Sequence, residues 1–362
     1  MYTIRSVWLS IVILGVAIAI PGTAVPSNIQ TAIDNANKNG PYLGLVIPNL
    51  FEMNPLLQHP SYKPNSTLTI DFAGKRFRFG TLAGEKVILV MTGLAMVNAA
   101  ITTQLVVNLF NIKGVVHFGI AGNANPNYDI GDVLIPRYWA HSALWSWQRY
   151  GNGPENQLPL EASGDYTRGI GYFKFSDYAI NVSNSPHHDN LLNNIWYQPE
   201  EIFPVDGTPE ERQHVFWIPV DPSYLNLAQR LTNLTLERCI NATKCVAYSP
   251  RVVPVLRGMS ASIYLDNAAY RSFLSAKFRH LGPVDMESAA VALICRQQKV
   301  PFIIIRALSD LAGGGSDDSN EADLFTPLAS NNSVTVVVEF VRLLRSSNTP
   351  VLNTPTPPLP VT

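Results

Sequence analysis

Residues 302–310 read FIIIRALSD, and this stretch predicts a strand that is buried on both faces of a sheet. The apolar run lacks the polar alternation of a half-exposed strand, which is typical of a mostly parallel sheet. Ser309 and Asp310 follow the run and precede the glycine-rich stretch LAGGGSDD. Ligands of open α/β sheets bind beyond the carboxyl ends of the strands, so Asp310 occupies a candidate site. The alternative is that Asp310 only caps the next turn.

The chain around this strand alternates short apolar runs with helical patterns. Runs bounded by Gly, Pro and Asn predict strands over 43–47, 87–91, 115–120 and 132–135. Apolar periodicity predicts helices over 95–110, 266–278, 286–297 and 334–344. One face of the first helix collects Val97, Ala100, Ile101, Leu105 and Leu109.

This order of elements predicts a single three-layer α/β/α domain with a mixed, mostly parallel central sheet. We expect the domain to cover residues 25–345. Residues 139–250 interrupt the pattern, because they are rich in Trp, Tyr, Asn and Pro and weakly periodic. We therefore expect a long loop-rich insertion there.

The composition excludes some classes of partner. The chain has 362 residues, of which 46% are hydrophobic and only 15% are charged, with a net charge of -1. Nucleic-acid binding would leave a run or stripe of Lys and Arg, and none is present, so we expect no such partner. The chain has no Cys-x-x-Cys and no His pair at helical spacing, so we expect no metal.

The first 24 residues predict a secretory signal peptide. Arg5 precedes an apolar run over 7–20, and small residues lead to a cleavage site after Ala24. The alternative is an uncleaved anchor, although spanning a bilayer takes about 20 apolar residues. We expect a protein of the secretory pathway, extracellular or vacuolar, without membrane attachment after cleavage. Residues 346–362 are Pro/Thr-rich and predict a disordered tail.

Secretion agrees with two further features. Asn-x-Ser/Thr sequons, which are candidate glycosylation sites, occur at Asn65, Asn181, Asn233, Asn241 and Asn331. Cys239 and Cys245 are close in a polar stretch, where an oxidising compartment favours a local disulfide. Cys295 lies in an apolar helical pattern and is expected to be a buried thiol.

A second isolated carboxylate stands in VDMES, residues 284–288. Glu287 is at the predicted start of a helix, with Asp285 as a possible N-cap, and the helix dipole stabilises an acid there. A carboxylate in this place can also accept hydrogen bonds from two vicinal hydroxyls, as on a ribose. Glu287 and Asp310 together are a stronger signal than either alone.

Three segments carry a family resemblance: VILVMTGLAMVNAA at 87–100, VVHFGIAGNANPNYDIGDVLIP at 115–136 and VDMESAAVALICRQQKVPFIIIRALSDLAG at 284–313. Together they closely resemble the nucleoside phosphorylase and methylthioadenosine/S-adenosylhomocysteine nucleosidase superfamily. The resemblance spans roughly 43–136 and 255–345 in the family's order. The secretion signal, the long middle segment and the Cys pair resemble the plant bark (vegetative) storage protein branch.

The resemblance implies roles for residues at matching positions. Glu287 matches the acid that binds the ribose hydroxyls, and Met286 matches a residue that packs on the ribose. Asp310 matches the acid that protonates the purine ring, and Ser309 matches the neighbour that orients it. Tyr264 matches an aromatic that stacks on the base and is followed by Leu265. Backbone is expected to approach the ribose, and phosphate or water, at Gly93, Gly119, Ile120, Ala121 and Gly122.

The resemblance leaves the nucleophile open. Glu52 matches the acid with which nucleosidases position water, although a short shift in the alignment substitutes Met53. His117 falls where phosphorylases have a phosphate-binding arginine, and Ile120 replaces their serine. Both changes weaken an anion site, because isoleucine offers no side-chain donor and histidine is mostly neutral at pH 7. His117 is alternatively a histidine whose hydrogen bonds are satisfied within its strand.

The sequence therefore predicts cleavage of the N-glycosidic bond of a purine nucleoside, such as a cytokinin-type riboside or methylthioadenosine, by phosphorolysis or hydrolysis. Asp310 would be the general acid, and Glu287 would bind the ribose. The alternative is a vegetative nitrogen-storage protein on the same fold, with weak or no catalysis. We expect no cofactor, with phosphate as a possible co-substrate, and a homo-oligomer, because family members commonly assemble.

Overall fold

The computed structural model describes residues 25–147, 172–174, 194–314 and 321–347. Strands in these ranges are β1 (Tyr42–Ile47), β2 (Tyr62–Phe72), β3 (Lys75–Leu82), β4 (Glu85–Met91), β5 (Ile112–Asn123), β6 (Val133–His141), β7 (Trp145–Trp147), β8 (Tyr172–Lys174), β9 (Asn194–Tyr197), β10 (Glu200–Ile202), β11 (Gln213–Val215), β12 (Ile218–Pro219), β13 (Cys239–Asn241), β14 (Lys244–Cys245), β15 (Val252–Ser260), β16 (Leu281–Asp285) and β17 (Phe302–Leu311). Helices are α1 (Ser27–Lys38), α2 (Leu50–Gln58), α3 (Met96–Leu109), α4 (Pro222–Ala228), α5 (Ala268–Lys277), α6 (Ser288–Gln297) and α7 (Glu321–Ser346).

One large mixed sheet organises these elements. Strand β17 pairs in parallel with β5 and briefly antiparallel with β6. Beyond β5 come β1 and β4 in parallel, and then β3 and β2 antiparallel. Strand β6 continues in parallel to β15, and β15 to β16. The structure confirms the predicted α/β fold with a mixed central sheet, and its parallel strands bring several C-terminal ends to one edge.

Strand β17 lies deep in the sheet, and it is longer than the apolar run that predicted it. Residues 302–309 are buried, and the strand continues to Leu311 because Asp310 and Leu311 still pair with Gly122 and Asn123 at the end of β5, past a register shift at Ser309. Helix α7 packs against β17 and β5. It begins at Glu321, well before the predicted start at residue 334, and contains Pro327.

Helix α3 differs from its sequence pattern in the face that it buries. The side chains of Val97 and Ile101 are 69% and 52% exposed, whereas Thr102 and Thr103 are fully buried. Each threonine hydroxyl donates to the carbonyl oxygen four residues earlier, at 2.7 and 2.8 Å, so its burial leaves no unpaired donor. The helix is apolar on several sides, and the pattern alone could not select the core face.

The segment predicted as a loop-rich insertion contains short strands and helix α4 in its described parts, and β6 extends into it as far as His141. Cys239 and Cys245 form a disulfide on the β13–β14 hairpin, and Cys295 is a buried free thiol. The four sequon asparagines in described segments are exposed: Asn65, Asn233, Asn241 and Asn331. The signal-peptide segment, Asn181 and the tail beyond residue 347 lie outside the described residues. Within the described ranges, no helix has the length and apolarity needed to cross a membrane.

Asn332 connects helix α7 to two loops beneath the sheet. Its fully buried amide donates to Gly131 O at 3.0 Å and to Glu237 O at 2.9 Å, and it accepts from Glu237 N at 2.8 Å.

We expect Asn332→Ala to lower the free energy of unfolding by about 2–4 kcal/mol, because each orphaned buried group costs about 1–3 kcal/mol. Urea denaturation measures this, with Thr335→Ala, at a partly buried position of the same helix, as control. A loss no larger than that of the control would contradict the assignment.

Candidate active site

Arg306 is the centre of the candidate site, at the C-terminal edge of the sheet. Its side chain is completely buried. The Nε atom is 2.6 Å from Asp285 Oδ2, and it also donates to Ser288 Oγ at 3.0 Å. The Nη1 atom donates to the Ile120 carbonyl oxygen at 3.2 Å. A buried guanidinium is tolerated only where carboxylates and acceptors surround it.

Glu52 reaches Arg306 from the first turn of α2. Its Oε1 is 3.6 Å from Arg306 Nη1 and accepts a hydrogen bond from Ile120 N at 2.8 Å. Its Oε2 accepts from Asn49 N at 3.0 Å, and the Asn49 side chain caps the helix in return. This capping box fixes the orientation of the Glu52 side chain. Met53 instead points into the hydrophobic core.

Glu287 reaches the same guanidinium from the residue before α6. Its Oε2 is 3.6 Å from Arg306 Nη2, and its Oε1 accepts from Ala95 N at 2.9 Å. The N-cap of the helix is Glu287 rather than Asp285, which the sequence suggests; Asp285 lies two residues earlier, and its Oδ1 still accepts from Ser288 N at 3.2 Å. The helix begins at Ser288 rather than at the predicted Met286. Three carboxylates thus face one arginine.

Close backbone approach makes a glycine necessary at position 119. A Cβ atom on Gly119 would lie 2.0 Å from Glu52 Oε1 and 2.6 Å from Arg306 Nη1. No side chain fits there while the pair is in place. Gly93 meets a different need, since its φ of 83° lies in the left-handed region that favours glycine.

His117 lies behind Arg306, on β5, and is completely buried. Its Nδ1 is 2.7 Å from Val46 O and therefore donates, which leaves Nε2 to accept from Arg306 Nη2. Burial, and then the charge of Arg306, hold the pKa of the ring well below its usual value. Both ring nitrogens are engaged within the protein, so His117 presents neither of them to a substrate.

Asp310 stands apart from the arginine, near the end of β17. Ser309 Oγ donates to Asp310 Oδ1 at 2.7 Å and is itself buried. Burial raises the pKa of Asp310 to about 6; the Ser309 hydrogen bond opposes this, and Glu321 and Asp266 add to it. The side chain of Tyr264 is 65% exposed. Partial burial is the main cause that raises the pKa of its hydroxyl group, and the nearby carboxyl group of Asp310 is the second.

The acids are spaced for a small molecule. Asp310 Oδ2 would lie 3.5 Å from a Cβ on Gly122, and Glu52 lies against Gly119 on the same strand. Three residues of strand span about 10 Å. Ala121 lies between these glycines, and its carbonyl oxygen accepts from Ser309 Oγ at 3.4 Å. The two kinds of acid therefore stand about 10 Å apart along the strand, which is wider than one sugar ring.

The structure brings most of the residues suggested by the sequence to this edge. Met286 is partly buried beside Glu287, and Leu265 packs against a second hydrophobic cluster that includes Val284 and Ala312. The central place of Arg306 and the contact of Asp285 with it were not predicted. A charged residue inside the apolar run FIIIRALSD was the available signal. In the described residues, no group of three or more His, Cys, Asp or Glu is arranged to hold a metal ion.

The cluster holds more negative charge than one arginine can neutralise. Burial raises the pKa of Glu52 to about 8, against the attraction of Arg306, and Glu287 adds to the rise. Burial also raises the pKa of Glu287. The charge of Arg306 opposes this rise, and the nearby Asp285 adds to it. At neutral pH Glu52 therefore retains a proton in the larger fraction of molecules. Three carboxyl groups share one guanidinium, so their full ionisation would leave the cluster negative, which suits a cationic guest.

The raised pKa of Glu52 predicts a pH-dependent stability. Between pH 4.5 and about 8 the folded protein holds a proton that the unfolded chain has released, so stability falls as the pH rises. We expect Glu52→Gln to flatten this decline by up to about 1.4 kcal/mol per pH unit. Urea denaturation at several pH values measures the slope, and the exposed Glu210→Gln should leave it unchanged. Equal slopes in wild type and Glu52→Gln would contradict the burial of an ionisable Glu52.

Solved structures support the fold. The 5′-methylthioadenosine/S-adenosylhomocysteine nucleosidase from Neisseria meningitidis, in complex with methylthio-immucillin-A, superposes with a TM-score of 0.56 at 21% identity, covering 83% of this chain and 98% of that one. The futalosine hydrolase of Helicobacter pylori gives a TM-score of 0.54 at 18% identity, covering 83% and 97%.

Sequence comparisons point to the same family. Bark storage protein A from Populus deltoides is 30% identical over 303 residues, which cover 83% of this chain and 88% of that protein. A 5′-methylthioadenosine/S-adenosylhomocysteine nucleosidase from Bacillus thuringiensis is 27% identical over 275 residues, 75% and 88% of the two chains. The model of the phosphorylase superfamily matches residues 42–342, nearly the whole described domain, and the chain therefore belongs to this superfamily.

Proposed function

We propose that this protein cleaves the N-glycosidic bond of a purine nucleoside, with water as the nucleophile. The superfamily includes nucleosidases, and the chain is similar to one of them over most of its length. One observation carries the proposal: Glu52 and Glu287 converge on Arg306, and a separate carboxyl group of raised pKa, Asp310, shares the same edge of the sheet. Breaking a glycosidic bond needs these two environments, one for a cationic sugar and one for an anionic leaving base.

Asp310 would act at the base. A carboxyl group with a pKa of about 6 is still partly protonated near neutral pH and can donate a proton to the departing purine. Ser309 orients the carboxyl group through its hydrogen bond. The exposed ring of Tyr264 offers a planar apolar surface that a base would cover. The proton transfer would neutralise the charge that develops on the purine.

Glu287 and Glu52 would act at the sugar. Glu287 is held by Ala95 N and Arg306, and its oxygens are placed at the edge where vicinal hydroxyls could donate to them. Negative charge fixed beside an oxocarbenium-like sugar lowers the barrier, because it is already oriented before the reaction. Glu52, when ionised, can accept a proton from a water molecule on the opposite side of the sugar from the base.

The contacts favour water over phosphate. Groups that would hold a phosphate are already engaged: Arg306 faces three carboxylates, and the ring of His117 is buried between Val46 O and Arg306. The Ile120 N–H donates to Glu52. A phosphate dianion would also be repelled by the excess negative charge of the cluster. The nucleosides to be tested as substrates should include a cytokinin-type riboside and methylthioadenosine.

A storage function is the second candidate, because bark storage proteins A and B of Populus deltoides are 30% and 29% identical to the chain. In that case the protein would be a nitrogen reserve whose site is inactive or nearly so. Turnover separates the two candidates, since storage does not require any.

We also propose that the protein enters the secretory pathway and ends outside the cell or in a vacuole. The disulfide between Cys239 and Cys245 needs an oxidising compartment, and exposed sequons such as Asn65 and Asn233 are accessible to glycosylation. The protein is further proposed to be a homo-oligomer. Exposed apolar side chains on α2 and α3, Phe51, Val97 and Ile101, offer a surface for a second copy.

Substitution of Asp310 tests the proposed reaction. We expect purified protein to release free purine from a nucleoside at a rate that added phosphate does not change. Asp310→Asn should reduce this rate ~10²–10⁴-fold, because it removes the general acid. The nucleoside affinity should change little. Asp34→Asn, which alters an exposed carboxyl group on α1, is the matched control and should leave the rate unchanged. No release from any nucleoside in the panel would reject the enzyme in favour of storage.

The pH profile tests the two roles separately. Reaction needs Asp310 protonated and Glu52 ionised, with pKa values of about 6 and about 8. The fraction of molecules in this state rises up to about pH 6, is nearly constant to about pH 8 and then falls, so kcat/KM should follow that curve. Glu52→Gln removes the need for a base, so its lower rate should be constant below about pH 6 and decline above it. Identical profiles for both proteins would contradict the role of Glu52.

A further inference from the structure

A cavity of about 770 Å³ opens beside the carboxylate cluster. One wall is the β2–β3 hairpin, and the other is formed by the loops that follow β1 and β4. These loops contact each other, because Gly93 N donates to Pro48 O at 2.9 Å. The cavity contains apolar surface as well, from Phe72 and Met91.

Basic side chains predominate in this cavity. Lys75, Arg76 and Arg78 line it, with Asp71 as the acidic counterpart. Asp71 is already bound by Arg76 through two hydrogen bonds, at 2.8 and 2.5 Å. The charges of Lys75 and Arg78 are therefore left without a carboxylate partner among the described residues.

The two remaining cations have incomplete hydrogen bonding. Lys75 Nζ donates to the Thr92 carbonyl oxygen at 2.5 Å, and an ammonium group has three donors in all. Partial burial lowers the pKa of Lys75, and a nearby anion would offset that effect. Arg78 Nη1 is buried and has no hydrogen-bond partner within the described part of the chain. An anionic guest would supply the missing acceptors.

The strand order places this cavity at the sugar end of the proposed site. Strands β17, β5, β1, β4 and β3 are successive neighbours, so Asp310 and Lys75 stand at opposite ends of one edge. Glu287 lies between them, fixed by Ala95 just after β4. Neighbouring strands are about 4.8 Å apart. Lys75, at the start of β3, therefore lies about one strand spacing beyond the proposed sugar position at the end of β4. A nucleoside with its base at Asp310 directs its far end, the 5′ carbon, toward the cavity.

From this arrangement we infer that the cavity binds an anionic group on the 5′ end of the nucleoside, such as a phosphate monoester, through Lys75 and Arg78. The inference rests on the proposed function, which it extends to the substrate class of nucleosides with a negatively charged 5′ substituent. A neutral 5′ group would leave both cations without an anionic partner among the described residues. Inorganic phosphate offers the same chemistry as the 5′ group, so the experiment must separate the two sources.

Equilibrium binding tests the inference without relying on turnover. Calorimetry on Asp310→Asn compares adenosine 5′-monophosphate, adenosine and inorganic phosphate. We expect the monophosphate to bind at least ~10-fold more tightly than adenosine, because each charge-assisted hydrogen bond is worth that much. Lys75→Met and Arg78→Met should each remove most of this preference and leave adenosine binding unchanged. Lys86→Met, an exposed lysine outside the cavity, changes the net charge equally and should keep the preference.

Each outcome has a separate meaning. Adenosine binding without any preference for the monophosphate would overturn this inference and leave the proposed function intact. Strong binding of inorganic phosphate that adenosine does not disturb, with no preference for the monophosphate, would make the cavity a separate anion site and also overturn it. If no nucleoside binds, the proposed function and the inference both fail. If one of the two variants unfolds, the other still tests the inference. The preference of the wild-type protein for the monophosphate should also weaken as the salt concentration rises, and a preference that salt does not change would contradict the inference.

Discussion

The buried charge of Arg306 is the constraint on which the site depends. A guanidinium without solvent must be surrounded by acceptors, and breaking such a pair typically costs about 3–5 kcal/mol. Glu52, Asp285 and Glu287 supply the charge from three separate elements of the fold. Their convergence ties the start of α2 and the start of α6 to the centre of the sheet. The absence of a side chain at Gly119 is a direct consequence of that packing.

This arrangement is costly for a protein that only stores nitrogen. Replacing buried ions by apolar side chains of similar volume is often neutral or stabilising, so stability alone gives little reason to hold three carboxylates on one arginine. A site for a cationic sugar does give such a reason, because fixed negative charge is what its transition state requires. The separate environment of Asp310 adds a proton donor of suitable pKa at the other end. These two features support the proposed catalysis, whereas the 30% identity to bark storage protein A supports the storage alternative.

The sequence predicted the architecture well and the details of the site in part. Strand β17 was evident because eight consecutive buried positions need an apolar run, and Asp310 was evident because it ends that run. The β2–β3 hairpin and the helices α1 and α2 were not predicted. Strand β2 exposes most of its residues, so it shows little of the alternation that marks a strand. For this reason the basic cavity, one wall of which is that hairpin, could not be found before the structure.

Arg306 shows a second limit of sequence patterns. One charged residue in an apolar run indicates a buried partner, but it does not indicate which of the 27 acids in the chain provides it. Glu52 and Glu287 are far apart in sequence, and only the parallel pairing of β1, β5 and β17 brings their elements together. His117 was considered as a group that faces an anion, and the structure shows that Val46 and Arg306 take both its nitrogens.

The central claim is that the carboxylates around Arg306 stabilise a cationic sugar. The direct measurement is the affinity of the wild-type protein for a nucleoside analogue whose sugar ring carries a protonated nitrogen, relative to the neutral nucleoside. We expect the cationic analogue to bind at least ~100-fold more tightly, as transition-state analogues do. Equal affinity for the two compounds would show that the cluster does not act on the charge of the sugar, and it would contradict the account.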